Sequence, residues 1–227
     1  MSQKECYEVL DSQGQPIQAK HTLYTLVVKR CFDLLCSGVG LILCSPLMLV
    51  CALAIKKEDG GPIFYTAQRM GYKGKAFKMY KFRSMKQNAP DLRTADGSTY
   101  NAADDPRLTK IGAKLRATSL DELPQLINVF LGSMSLIGPR PDDLKEAALY
   151  EGDEAYKLRV KPGITGYAQV YGRNSIPWKE RLKLDLIYVD KISFLLDCKV
   201  FFRTFAVIFK QEGIYVEDER SNDSKSR

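Results

Sequence analysis

Two adjacent acids, Asp121 and Glu122, stand in the stretch SLDELPQLINVFLGSMSLIGPRP, where an apolar helical pattern runs into a Gly-Pro-Arg-Pro turn. Basic side chains crowd them: Lys110, Lys114 and Arg116 precede the pair and Arg140 follows it. Ser119, three residues before Glu122, makes a capping-box pattern, and Pro124 is tolerated only near the first turn of a helix. The acids are therefore expected at a helix N-terminus, where the dipole and free backbone N–H groups favour the ionised carboxylate. An ionised aspartate can be a nucleophile or a metal ligand. An isolated Asp-Glu pair would be ordinary first-turn composition; its cationic neighbours point to chemistry instead.

Three further segments carry what phosphoryl transfer requires, positive charge and close backbone approach to a phosphate. In KMYKFR, residues 78–83, Lys81 and Arg83 fall on one side of a strand. In GPRP, residues 138–141, two prolines stiffen the turn that presents Arg140. In RVKPGITGYAQVYGRN, residues 159–174, Gly163, Gly166 and Gly172 allow tight turns, and Arg173 and Asn174 could bind phosphate or a nucleotide. Neither a Walker-type phosphate loop nor a G-x-G-x-x-G fingerprint occurs. The only histidine, His21, lies far from these segments, which excludes Ser-His-Asp and His-metal mechanisms in practice.

The elements that must position these groups start with an apolar run. Cys31 to Ile55 reads CFDLLCSGVGLILCSPLMLVCALAI, about 25 residues with Asp33 its only charge. As a helix it is long enough for a hydrocarbon core of roughly 30 Å. A core helix apolar on every face for this length would be unusual in a soluble protein. Lys29-Arg30 and Lys56-Lys57 flank the run, so the positive-inside preference pulls both ends toward the cytoplasm. Ser45-Pro46 sits near its middle, and the proline removes a helical hydrogen bond. The halves, about 14 and 10 residues, would be roughly 21 and 15 Å long, each too short to cross alone. A re-entrant helix hairpin broken at Ser45 and Pro46 is expected over residues 27–57, with a kinked full span as the alternative, since transmembrane helices tolerate proline. A second membrane element is suggested by SFLLDCKVFFRTFAVIFK, residues 193–210. At about 100° per residue, Lys199, Arg203 and Lys210 share a stripe opposite Phe194, Phe201, Phe202, Phe205, Ile208 and Phe209, an interfacial pattern.

Elsewhere, Ile63–Gln68 and Ala76–Phe82 read as two strands of a hairpin. Residues 86–107 are polar and too long for a simple connector, as a loop over a site would be. Helices are expected at 108–117, 141–160 and from Trp178 to about Asp190. Residues 1–26 read as an N-terminal tail and 211–227 as a C-terminal one, bracketing a cytosolic domain at 58–210. The fold class is α+β, mostly helical, with a short β-hairpin and interfacial amphipathic helices. With 227 residues and a formal charge of +7, the chain favours an anionic partner. Its six cysteines show no Cys-x-x-Cys spacing, which argues for reduced thiols in apolar packing over a zinc site or disulfide framework.

Together KRCFDLLCSGVGLILCSP, KMYKFRSM, SLDELPQLINVFLGSMSLIGPRP and KPGITGYAQVYGRN resemble the bacterial sugar transferases known as monotopic polyprenyl-phosphate phosphoglycosyl transferases. The resemblance covers about residues 27–210, with four motifs in order. It implies a re-entrant helix broken at Ser45-Pro46 and an Asp121-Glu122 dyad working with Mg2+. It implies a bacterial inner-membrane enzyme whose catalytic domain faces the cytoplasm. Asp121 would attack a UDP-sugar, release UMP and carry a phosphosugar until undecaprenyl phosphate collects it, with Glu122 as base or metal neighbour. Lys81, Arg83, Arg116 and Arg140, with Arg173 and Asn174, would contact substrate. Such enzymes initiate capsule, exopolysaccharide, O-antigen or glycoprotein glycan synthesis.

Two other readings compete. A membrane-associated glycosyltransferase would move only the sugar and leave UDP. A membrane-tethered binding or scaffold protein would use its basic face on acidic lipid or nucleic acid and would tolerate Asp121→Asn. No nucleic-acid module appears, so no nucleic-acid partner is expected. The sugar, the pathway and any homo-oligomer stay open.

Overall fold

The computed structural model describes residues 14–15, 20–93, 100, 102, 105–172 and 176–210. Helical backbone begins in a π-helical turn, Tyr24–Val28, and continues as α1, Lys29–Asp59, until Gly60 stops it with a φ of 70°. At about 1.5 Å per residue these 31 residues trace roughly 46 Å of helical path. Only 11% of the most apolar 18-residue window is buried, which removes the buried-core reading of this run. Ile42, Leu43, Leu47, Leu49, Val50 and Leu53 are instead exposed.

Both ends of α1 grip the same folded body. Near the start, Asp33 is buried, and its Oδ1 accepts from Ser135 Oγ at 3.0 Å and from the Leu136 amide at 2.9 Å. Arg30 donates to the carbonyls of Val129 and Phe130 at 2.7 and 3.0 Å, binding the C-terminal turn of the helix that ends at Leu131. Near its end, Cys51 and Ile55 pack with Phe82 and Leu115. The lone charge of the apolar run is thus an anchor.

The backbone does not leave the helix at Ser45-Pro46, where the sequence places a break. Pro46 has no N–H for the Ile42 carbonyl four residues back, and Ser45 Oγ donates to that same carbonyl at 2.8 Å. The serine replaces the missing donor.

Strands β1, Phe64–Met70, and β2, Ala76–Phe82, pair antiparallel with Tyr65 opposite Lys81. Helix α2, Lys110–Ala117, is capped by Thr109, whose side chain accepts from the Gly112 amide. A 3-10 turn, Leu120–Glu122, leads into α3, Gln125–Leu131, and then β3, Ser135–Ile137. β3 pairs parallel with β4, Gly163–Thr165, so GPRP and KPGITG lie side by side. A Cβ on Gly163 would come within 2.1 Å of the Gly138 nitrogen, and one on Gly166 within 2.1 Å of the Gly138 oxygen. These glycines serve backbone-to-backbone contact between the two motifs.

The single helix expected over 141–160 is two pieces. Asp143 and Glu146 form a capping box on α4, Leu144–Ala147, and a 3-10 segment, Gly152–Arg159, follows. Gly152, with a φ of 53°, divides them. Beyond α5, Tyr167–Tyr171, the chain forms α6, Trp178–Lys191, and α7, Phe194–Lys210. The main core gathers Ile137, Val160, Val170, Tyr188, Val189 and Val200, which binds α6 and α7 to the paired strands. On α7 Phe194, Leu195, Phe202 and Phe205 stay exposed. Arg203 turns back to donate to the Val170 carbonyl at 2.9 Å and stacks over Tyr171. The α7 stripe therefore partly faces the domain.

The segment from Lys20 is tied down: its amide donates to the Arg159 carbonyl and its ammonium to Val189 and Asp190. The five described cysteines are free thiols.

Candidate active site

A cleft of about 260 Å3 opens where the 3-10 turn, β2, the GPRP turn, α5 and α6 meet. Its wall includes Asp121, Glu122, Lys81, Arg116 and Arg140, five residues that the sequence places in one site.

The acids do not cap α3. Ser119 takes a left-handed conformation, φ 57°, and its side chain makes no capping bond. Its carbonyl instead accepts from the Glu122 amide at 3.2 Å, closing the 3-10 turn that holds both carboxyls. Pro124 is the N-cap of α3, which begins only at Gln125. The expected capping box is absent because the turn winds as 3-10 before the α-helix starts.

The two carboxyls differ sharply in environment. Glu122 Oε1 accepts from Lys81 Nζ at 2.9 Å and from Arg140 NH2 at 3.0 Å. Burial alone would raise its pKa, but Lys81 and Arg140 outweigh it and hold the group well below the usual carboxylate range. Asp121 is 7% exposed and carries no hydrogen bond among the described residues. Burial pushes its pKa up; Lys81 opposes that shift and the Glu122 charge adds to it. This is the reverse of a dipole-stabilised carboxylate. Charge is thus fixed on Glu122 and a neighbouring oxygen pair is left unengaged on Asp121.

The cations are held as well. Burial lowers the Lys81 pKa against the Glu122 charge, whereas Glu122 raises that of Arg140. Arg116 Nε donates to Ser84 Oγ at 3.1 Å. Asn128, buried in α3, aligns β2 with the acids: its Oδ1 accepts from the Tyr80 amide at 2.9 Å and its Nδ2 donates to the Lys78 carbonyl at 2.7 Å. That bridge sets Lys81 opposite Glu122.

Arg83 is not part of the cleft. β2 ends at Phe82, and the Arg83 guanidinium turns to Asp59 at 2.7 Å and to the Pro62 carbonyl at 2.7 Å. It clamps the end of α1 to the strand. Once the strand stops, its alternation no longer fixes the side chain direction. Arg173 and Asn174 lie outside the described residues. Part of the 86–107 segment reaches the cleft through Tyr100, while Arg107 pairs with Asp105 and donates to the Tyr100 carbonyl at 2.9 Å.

Several cleft residues escape the sequence reading. Lys157, 3% exposed, binds Asp142 at 2.6 Å and Asp185 at 3.0 Å. Tyr150 also donates to Asp142 at 2.6 Å. Burial lifts the Asp185 pKa to about 6 despite Lys157. Trp178, Leu182 and Asp185 recur on the inward stripe of α6, and an acid on a buried stripe is the signal that could have found it.

Among the described residues no group of three or more His, Cys, Asp or Glu could hold a metal. A dyad still fits Mg2+, which commonly takes one or two carboxylates and completes its shell with water and substrate phosphates. The unengaged Asp121 carboxyl beside Glu122 is such a donor set.

Residues 24–211 match the family described as bacterial sugar transferase. The chain is 38% identical over 200 residues to the exopolysaccharide production protein ExoY of Rhizobium meliloti, covering 83% of this chain and 88% of that one. It is 41% identical over 199 residues to the undecaprenyl-phosphate galactose phosphotransferase of Salmonella typhimurium, covering 83% of this chain but 42% of that protein. With the undecaprenyl-phosphate glucose phosphotransferase of Komagataeibacter xylinus it shares 41% identity over 192 residues, 80% of this chain and 36% of the relative.

Proposed function

The chain belongs to the bacterial sugar transferase family, as a phosphoglycosyl transferase, and we propose that it moves a sugar 1-phosphate from a UDP-sugar to undecaprenyl phosphate through Asp121. The observation that carries this reading is the unequal dyad: Glu122 is locked to Lys81 and Arg140, while Asp121 beside it is unpaired.

An Asp121 oxygen attacks the phosphorus that bears the sugar, and the bond from that phosphorus to the bridging oxygen breaks. UMP leaves with the bonding electrons, and the sugar phosphate stays on the carboxylate. A phosphate oxygen of undecaprenyl phosphate then attacks the same phosphorus and frees Asp121. The products are undecaprenyl-diphosphate-sugar and UMP. Lys81, Arg140 and Arg116 spread the negative charge that builds on the phosphoryl oxygens, and their fixed positions spare reorganisation at the moment of reaction. Asp121 and Glu122 would hold Mg2+, which supplies charge neutralisation and a template for the diphosphate.

The exposed apolar faces of α1 and α7 support seating on a membrane, and the basic pairs Lys29-Arg30 and Lys56-Lys57 at both ends of the apolar run support an inner-membrane enzyme with its catalytic domain on the cytoplasmic side. Although α1 stays helical through Pro46, anchoring of both its ends to one body, with the Pro46 region exposed between them, supports a helix that bends there to enter and return on one side. That placement brings the cleft to the lipid phosphate. The ExoY likeness supports a role in starting exopolysaccharide synthesis.

The test is UMP release from a panel of UDP-sugars by purified protein with Mg2+ and undecaprenyl phosphate. UMP from at least one sugar is expected. UDP in its place would mean transfer of the sugar alone, and no nucleotide release from folded protein would refute the proposal.

A further inference from the structure

The cleft holds hydrogen-bonding capacity that the phosphate chemistry leaves unused. Gln125, 2% exposed, has its Nε2 buried without a partner. Gln169 Oε1 and Asp185 Oδ1 are likewise buried and unpartnered. These side chains come from α3, α5 and α6, and all three line the wall that carries Asp121. Polar atoms enclosed away from water normally find a partner, so three orphans on one cleft point to a ligand that supplies it.

Two of the three are held in place by their other polar atom. Gln169 Nε2 donates to the Ile164 carbonyl at 3.0 Å, which fixes the amide so that Oε1 faces away. Asp185 Oδ2 is held by Lys157 at 3.0 Å, which leaves Oδ1 free. These three side chains offer two anchored acceptors and one donor, while Arg69, Lys157 and Arg181 add positive charge to the same wall. Such a set suits hydroxyl groups, which both donate and accept, and it suits phosphate oxygens poorly because they only accept.

We propose that Gln125, Gln169 and Asp185 form the subsite that reads the hydroxyls of the donor's sugar; this rests on the UDP-sugar reading above. Gln125 follows Asp121 by four residues, at the point where the 3-10 turn gives way to α3, and both line the same wall. The sugar is bonded through one oxygen to the phosphorus that Asp121 attacks, whereas uridine is a further phosphate away. A hydroxyl-matched set on the wall that carries the nucleophile therefore fits the sugar, the group bonded nearest that phosphorus, better than the nucleoside. Anchored acceptors also discriminate, because an analogue that cannot donate leaves them buried and unpaired.

The test compares wild type with Gln125→Met and Asp185→Asn. Gln125→Met keeps side chain length, and its target amide nitrogen has no protein partner to lose. Asp185→Asn also weakens the Lys157 pair, so Gln125→Met keeps the inference falsifiable should the other variant fold poorly. UMP release is measured with the preferred UDP-sugar, its C4 epimer and its deoxy analogues, and UMP affinity by calorimetry. The expected result is a fall of about tenfold or more in kcat/KM for the preferred sugar. Preference over the epimer and deoxy analogues should shrink, while UMP affinity stays within about twofold. UMP affinity falling in parallel would assign these residues to the nucleoside and overturn the inference, as would unchanged sugar preference. Wild-type protein that releases no UMP from any UDP-sugar would overturn the proposed function itself, and this inference with it.

Discussion

Asn128 carries a load far larger than its size, and its removal can be worked through from the contacts. The side chain is 2% exposed and makes three hydrogen bonds, to the Tyr80 amide, the Lys78 carbonyl and Ser133 Oγ. At about 1 kcal/mol net for each bond, Asn128→Ala should cost about 3 kcal/mol, or more where a backbone partner is left buried and unpaired. For a protein of this size that corresponds to a Tm lower by about 6 to 12 °C. Trp178, the only tryptophan, is buried against Tyr150 and gives a fluorescence signal for thermal unfolding in detergent or nanodiscs. Asn128→Asp should be at least as harmful, since it keeps the acceptor for Tyr80 but sets a carboxylate oxygen against the Lys78 carbonyl. Because the same bridge places β2, kcat/KM should fall beyond what the unfolded fraction explains. A Tm within about 2 °C of wild type, with unchanged activity, would refute the claim that Asn128 aligns Lys81 with Glu122.

Other perturbations separate the roles of the cleft residues. Lys81→Met should lower kcat/KM for UMP release by about 10²- to 10³-fold, the scale for removing one fixed electrostatic group, while the protein stays folded. Arg83→Met should lower Tm yet leave KM for the UDP-sugar within about twofold, because Arg83 clamps Asp59 and lies off the cleft. Burial raises the Asp121 pKa above its ordinary 3.8, and only the ionised form attacks, so the acid limb of kcat/KM should sit above that value and activity should rise with pH through it. A profile flat down to pH 4 in stably folded protein would contradict that environment.

The sequence shows the chemistry more fully than the geometry. Lys81 on β2, Arg116 on α2 and Arg140 in the GPRP turn sit in local forms that the sequence encodes, and they converge on the acids although the turn that holds Asp121 and Glu122 is not the expected helix start. The hairpin, the 110–117 helix and the last two helices follow from alternation and 3.6-residue periodicity. What is not legible depends on contacts distant in sequence. Arg83 turns away because Asp59, 24 residues earlier, accepts it. Asp33 looks like a flaw in an apolar run until Ser135 and Leu136 meet it. The 3-10 turn under the acids defeats the capping-box pattern, since Ser119 spends its backbone, not its hydroxyl, on Glu122. Asp185 and Lys157 form a pair only after the 3-10 segment packs on α6.

The central claim is that one Asp121 oxygen carries the sugar phosphate between two attacks. The direct measurement is intact-protein mass spectrometry after incubation with Mg2+ and a UDP-sugar accepted in the UMP-release assay, without undecaprenyl phosphate, followed by peptide mapping. The expected result is a mass gain equal to one sugar phosphate on the peptide containing Asp121, with matching UMP, its loss on adding the lipid phosphate, and no gain in Asp121→Asn. Turnover with the lipid present but no adduct without it, or an adduct that survives Asp121→Asn, would contradict the account.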